Sequence, residues 1–170
     1  MQKIGSIPVL CFDPLSIKIA QQLDEHICNT LSVSQWVGTD GRGNCFFSSV
    51  DMFMRLYAYN HICELKTGIF SHDSESVFHA WIELSFEDEI FVLNVSNLHT
   101  KPAYIIKKAE YYSINNIQKI LQTIDFKKMK FHIQTYQKNK GSDSVRDFTK
   151  FLLKPTLRHL KRYFKNTQQS

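Results

Sequence analysis

Apolar residues recur at near-helical spacing over residues 13–31, at Leu15, Ile17, Ile19, Ala20, Leu23 and Ile27, which predicts a helix with Asp13 as its cap and Pro14 at its first position. A polar connection leads to Trp36 and Val37, then to the turn-forming run Gly38-Thr39-Asp40-Gly41-Arg42-Gly43-Asn44. From Cys45 the pattern changes. Phe46, Phe47, Val50, Phe53, Met54, Leu56 and Tyr57 follow i, i+3, i+4 and i+7 spacing, so a second helix with a wide apolar face should end near Asn60. Strand character follows over residues 62–70, 78–84 and 90–95, and the last two flank Ser85-Phe86-Glu87-Asp88-Glu89, short and polar enough for a hairpin loop. Ser113 reads as the cap of a helix whose face is Ile114, Ile117, Ile120, Leu121 and Ile124, and residues 129–136 read as a strand. Ser142 or Asp143 opens a final helical region, interrupted or kinked at Pro155. The succession predicts an α+β fold in which helices pack on an antiparallel sheet.

Composition adds boundaries. The 170 residues suit one domain with a small appendage, and 43% hydrophobic content can supply a globular core. Residues 1–100 hold five Lys/Arg against twelve Asp/Glu, a balance of −7, whereas residues 101–170 hold sixteen against four, a balance of +12. The expected division is a main domain over residues 1–141 and a basic amphipathic tail over 142–170. The apolar run from Ile4 to Phe12, broken by Pro8, lacks the charged flank and small-residue cleavage site of a secretory signal. No stretch nears the roughly 18 apolar residues of a transmembrane segment. The expected location is therefore the cytoplasm, or outside the cell through a signal-less secretion system. Cys11, Cys28, Cys45 and Cys63 form no CxxC pair and read as reduced thiols.

Cys45 follows a loop with two glycines and begins a helix. Backbone N–H groups there favour a thiolate and can hold an oxyanion, while Gly41 and Gly43 permit close approach. Taken alone, Cys45 reads equally well as a small hydrophobe opening a core helix. His79 shifts that balance, because it opens the strand His79-Ala80-Trp81-Ile82-Glu83-Leu84. With a two-residue turn at Phe86-Glu87, position 79 pairs with Asn94, and a register shift of two keeps Asn94 on the same face, one diagonal step away. Asn94 can then fix the tautomer of His79 and leave the other ring nitrogen for Cys45.

Gly43-Asn44-Cys45-Phe46-Phe47, followed by Phe78-His79-Ala80-Trp81-Ile82-Glu83-Leu84 and Val92-Leu93-Asn94, resembles the transglutaminase-like, papain-fold superfamily. Within it these motifs are similar to the leader peptidases of lasso-peptide biosynthesis, the B-protein type, over residues 36–96. The resemblance implies a papain-like or transglutaminase-like fold with catalytic Cys45, His79 and Asn94, acting on a peptide or protein substrate without a cofactor. The implied activity is that of a cysteine peptidase or amidase; a protein-glutamine deamidase or transglutaminase would share the acyl-enzyme. The family usually carries aspartate where this chain has Asn94, which can orient a histidine but cannot stabilise imidazolium by charge. Gln35 and Trp36 are the candidates for an oxyanion side chain. Asp40-Gly41-Arg42-Gly43-Asn44-Cys45-Phe46-Phe47 is also similar to the nucleophile loop of ovarian-tumour deubiquitinases, a family that would need a later histidine, His132 or His159.

The remaining clusters have bland readings. His61, Cys63, His72, Asp73 and His79 do not form recurring ligand pairs at zinc spacing, so no metal is expected. Glu83, four residues from His79 on the same strand, could face the site but fits a structural role better. The tail interleaves Phe148, Phe151, Leu152, Leu157, Leu160 and Phe164 with Lys and Arg. It reads as a surface for an acidic partner or, with more weight, as a helix docked on the core. An inactive papain-like binding module with this basic tail is the non-enzymatic alternative.

Overall fold

The computed structural model describes residues 1–4, 7–27, 45–72, 75–95, 103–140 and 145–167. In chain order the elements are β1 (Gln2–Ile4), β2 (Ile7–Cys11), α1 (Pro14–Ile27), α2 (Cys45–Ala58), β3 (Cys63–His72), β4 (Glu75–Phe86), β5 (Glu89–Asn94), β6 (Ala103–Lys107), α3 (Lys108–Ile114), β7 (Ile117–Ile124), α4 (Phe126–Lys140) and α5 (Val145–Thr167). The fold is mixed α+β, built on one seven-stranded sheet in the order β1-β2-β6-β5-β4-β3-β7. Every neighbouring pair is antiparallel except β2 with β6. No helix among the described residues is long and apolar enough to cross a membrane.

Strand alternation divides the sheet into two faces. Ala80, Ile82, Leu84, Phe91 and Leu93 point to the larger core, which they share with Ile19 and Leu23 of α1, Phe46 and Phe53 of α2, Met129 of α4, and Phe148 and Leu152 of α5. Trp81, Val92 and Ile106 point the other way, where Tyr111 of α3 covers them. α1 starts as its residues dictate: the Ser16 N–H donates to Asp13 Oδ1 at 2.9 Å, and the Asp13 N–H donates back to Ser16 Oγ at 3.1 Å. These reciprocal bonds satisfy amides that an uncapped helix end would leave unpaired.

The β4–β5 hairpin turns at Glu87 and Asp88, both with positive φ (47° and 57°), the backbone of a type I′ turn. The turn thus lies one residue beyond Phe86-Glu87, and the register runs Ile82↔Leu93, Leu84↔Phe91.

Two expected elements are replaced. Residues 117–124 form strand β7, where a helix was predicted. Its pairing with β3 steps from Gln122 to Ile120 and from Lys119 to Ile117, so two bulges break the alternation and leave apolar residues at helix-like spacing. Residues 129–136 lie within α4, where a strand was predicted. The alternating Met129, Phe131 and Ile133 suggested a strand, yet Phe131 is exposed and the inward residues are Met129, Ile133 and Tyr136, spaced for a helix.

Within β3, Gly68 has no room for a side chain: a Cβ there would lie 2.7 Å from the Lys119 carbonyl oxygen and 3.0 Å from the Trp81 ring. The absence of a side chain at Gly68 thereby leaves room for the Trp81 indole.

α5 is continuous through Pro155. It runs beside β7, the outermost strand: Thr156 donates to Gln122, the Tyr163 hydroxyl to Gln118 at 2.8 Å, and His159 Nδ1 lies 3.1 Å from the Leu121 carbonyl. Deleting residues 142–170 should therefore uncover β7 and the core around Tyr136 and Leu121, and so promote aggregation. Gel filtration and thermal melting check this; a monodisperse truncated protein with an unchanged melting temperature would contradict it.

Candidate active site

α2 begins at Cys45 and is held against a single residue of β4. The Ala80 backbone N–H bonds to the Cys45 sulfur, and the nearby N–H groups of Phe46 and of Cys45 itself also favour the thiolate. One turn further along α2, the Ser49 hydroxyl donates to the Ala80 carbonyl at 3.1 Å. Both backbone groups of Ala80 are thus engaged by the helix rather than by β5, whose ladder with β4 ends at Ile82↔Leu93. Ala80 itself is fully buried, and its methyl group lets the helix approach this closely.

His79 precedes that residue, and its ring lies on the other face of β4, 6.4 Å centroid to centroid from Trp81 and 5.0 Å from Phe70. Continuing the hairpin register by one step sets Asn94 opposite Trp81, hence on the face of His79 and diagonal to it. The Asn94 side chain is hydrogen-bonded to the His79 ring. Its Nδ2 donates to the Tyr104 hydroxyl at 2.8 Å, and that oxygen is also bonded by the Asn115 side chain. His79 and Asn94 are thus in contact, and the Cys45 thiol lies at the backbone of the residue after His79. Burial holds the Tyr111 hydroxyl well above the usual phenol range, and the nearby Cys45 thiol is among the groups that add to this. Tyr111 stands on the His79 side of the sheet.

The electrostatics depart from the helix-terminus expectation. Burial pushes the Cys45 thiol up to about 11 despite the N–H groups beside it, and burial pushes His79 down to about 4 despite the bond to Asn94. At neutral pH the resting pair is thiol and neutral imidazole, so desolvation outweighs the helix dipole here. Cys63, buried, is pushed up to about 12, and Cys11, whose thiol donates to the Ser16 carbonyl at 3.3 Å, is also raised.

A cleft of about 640 Å³ opens on this face of the sheet, with His79 and Asn94 in its wall. Tyr104, Tyr111 and Asn115 also line it; sequence reasoning missed all three, because a short apolar strand and a helix of about two turns carry no chemical signature. Tyr111 is fully buried, and its hydroxyl has no hydrogen-bond partner among the described residues. Ser49 was missed as well, although its position one turn after Cys45 was readable.

Glu83 takes the structural role. Its buried carboxylate accepts from Tyr112 at 2.6 Å and Lys108 at 2.8 Å, with the Trp81 indole N–H at 3.4 Å and Lys66 at 3.9 Å. Burial would raise this carboxyl, but Lys108, Tyr112 and Lys66 together hold it below its usual range. The network ties α3 to the sheet beside the cleft. Of the later histidines, His132 packs against Phe131 and Phe151, and His159 meets the Leu121 carbonyl. Among the described residues no group of three or more His, Cys, Asp and Glu side chains is placed to hold a metal ion. Cys28, Gln35, Trp36, Asp40, Gly41, Gly43, Asn44, Asp73, Ser142 and Asp143 lie outside the described residues.

No protein-family model, curated protein or solved structure matches the chain.

The two displaced pKa values bound a pH window of stability. His79, neutral when folded, opposes the proton it gains on unfolding, so its contribution is complete above about 6.5 and is lost as pH falls toward about 4. Cys45 keeps its proton when folded, so its contribution is complete below about 9 and is lost as pH rises toward about 11. The His79 contribution is on the order of 3 kcal/mol. Urea melts across pH should show a plateau between these limits, and His79→Gln should flatten the slope between pH 6.5 and 4; an unchanged acid slope in that variant would contradict the assignment.

Proposed function

We propose that the chain is a thiol-dependent acyl-transfer enzyme, a cysteine peptidase or amidase with a papain-like, transglutaminase-like core. Cys45 is the nucleophile, His79 the base and Asn94 the residue that orients it. The observation that carries this reading is the bonding of the Cys45 thiol to the Ala80 N–H, beside a histidine whose ring is held by Asn94. The sequence resemblance to transglutaminase-like enzymes names the same three residues.

The neutral resting pair shapes the mechanism. As the sulfur attacks a substrate carbonyl carbon, its proton passes to His79, the S–C bond forms and the carbonyl electrons move to oxygen. In this reading, N–H groups at the start of α2 receive that oxyanion. Collapse breaks the C–N bond, His79 gives its proton to the leaving amine, and a thioester remains on Cys45. Water, deprotonated by His79, then attacks the thioester, and the released thiolate recovers the proton. An amine in place of water makes the same site a transglutaminase, and a glutamine side-chain substrate makes it a deamidase. Asn94 assists by holding the ring, which a neutral amide does without adding charge.

A binding module with no turnover has one observation in its favour: burial keeps both reacting groups uncharged. In either case the exposed cations of α4 and α5, including Lys127, Lys130, Lys154, Arg158 and Lys161, offer a surface to an acidic partner.

Cys45→Ala should abolish turnover of a small thioester while leaving the melting temperature close to that of the parent, and Asn94→Ala should lower the rate less. Asn94→Asp should be tolerated. Near-parental turnover in Cys45→Ala would overturn the mechanism, and a parent protein that never acylates would favour the binding module.

A further inference from the structure

The cleft beside His79 has a composition that selects among ligands. Leu10, Phe12, Val77 and Ile114, all exposed, stand on its lining, so apolar side chains that would otherwise be scattered converge on one opening. Phe70, Ile106 and Tyr111 continue the apolar wall inward. The polar groups that join them are the hydroxyl and amide side chains of Ser71, Asn94, Tyr104, Asn115 and Asn116 and the neutral His79 imidazole, none of them charged at neutral pH. Among the described residues no Lys, Arg, Asp or Glu lines the cleft, although the chain has 37 of these residues, with 21 Lys/Arg and 16 Asp/Glu. The cations of α4 and α5 and the Glu83 network lie elsewhere.

A charged side chain entering such a cleft would lose hydration without gaining an ion partner, whereas an aromatic or branched aliphatic one would bury apolar surface against the rim. Ser71 and Asn116 in the wall suit the peptide units on either side of it, while Asn94 and Asn115 are engaged with Tyr104. The volume, about 640 Å³, is that of a small-ligand pocket and holds one large side chain with its flanking peptide groups.

We infer that the cleft is the specificity subsite of the enzyme and takes an uncharged aromatic or branched aliphatic residue of a peptide substrate. The inference rests on the acyl-transfer reading for the chemistry after binding, but the binding preference stands on the cleft alone.

The test uses N-acetyl-phenylalaninamide, N-acetyl-leucinamide, N-acetyl-lysinamide and N-acetyl-aspartate amide as probes. Each is titrated by NMR into the full-length Cys45→Ala protein, so that no chemistry is required. The phenylalanine and leucine probes should bind at least tenfold more tightly than the two charged ones, with shifts centred on Val77, Ile106 and Ile114. Ile114→Asp, at an exposed position, should cut phenylalanine-probe affinity at least tenfold while the melting temperature holds; Val77→Asp serves as the second variant should the first not fold. Equal binding of all four probes, or tighter binding of a charged one, would overturn the subsite, as would undiminished affinity in a folded variant.

A second arm separates this from the enzymatic reading. The parent protein is mixed with N-acetyl-phenylalanine benzyl thioester and examined by intact mass. Acylation forms a bond from Cys45 sulfur to the acyl carbon, releases benzyl thiol and carries the Cys45 proton to it through His79. Selective binding together with a Cys45 acyl adduct supports both claims. Selective binding without any adduct leaves the subsite standing and overturns the enzyme, and an adduct formed equally fast from the lysine and aspartate thioesters does the reverse.

Discussion

Everything distinctive about the candidate site depends on how α2 meets Ala80. The first two turns of the helix supply a thiol to the Ala80 N–H and a hydroxyl to its carbonyl, at the place where the β4–β5 ladder has stopped. A strand that separates from its neighbour leaves backbone groups that must find partners, and unpaired buried amides are costly. The helix satisfies them, and in doing so brings the Cys45 thiol to the histidine's peptide. The packing of α2 on β4 thereby also sets the place of Cys45.

The two sides of the sheet then divide the work. The α2 side is a large apolar core that fixes the thiol, and the α3 side is an aromatic layer that fixes the imidazole. Trp81 lies between His79 and the Glu83 network, and Gly68 leaves room for its ring. Asn94 joins His79 to Tyr104, whose hydroxyl also meets Asn115 at the end of α3. The same layer frames the uncharged cleft, so the groups that hold the histidine also define what can approach it.

The sequence made the relation of His79 to Asn94 readable for a physical reason. Sliding a two-residue turn by one position changes the cross-strand pairing by two, and two is the side-chain period of a strand. The expected turn at Phe86-Glu87 and the observed turn at Glu87-Asp88 therefore leave both side chains on one face. The cap on α1 and the start of α2 at Cys45 were equally local and equally readable. β7 was not, because its two bulges imitate helical spacing, and α4 was not, because Phe131 faces solvent while keeping strand-like alternation with Met129 and Ile133. Strands β1, β2 and β6, of three, five and five residues, are fixed mainly by their neighbours in the sheet and showed no pattern of their own. The protonation states were the least accessible: a helix N-terminus argues for thiolate, and only the packing around Cys45 and His79 reveals that desolvation prevails.

The account turns on whether thiol and imidazole act as one unit. The most direct measurement is the rate at which iodoacetamide alkylates Cys45, resolved from Cys11, Cys28 and Cys63 by peptide mass spectrometry, from pH 5 to 10 in the parent and in His79→Ala. The account predicts parent labelling between pH 6 and 8 well above that of a thiol titrating near 11, and predicts that His79→Ala loses this excess and keeps only the alkaline rise. Identical curves for the two proteins, both climbing toward pH 11 alone, would show that His79 does not serve Cys45.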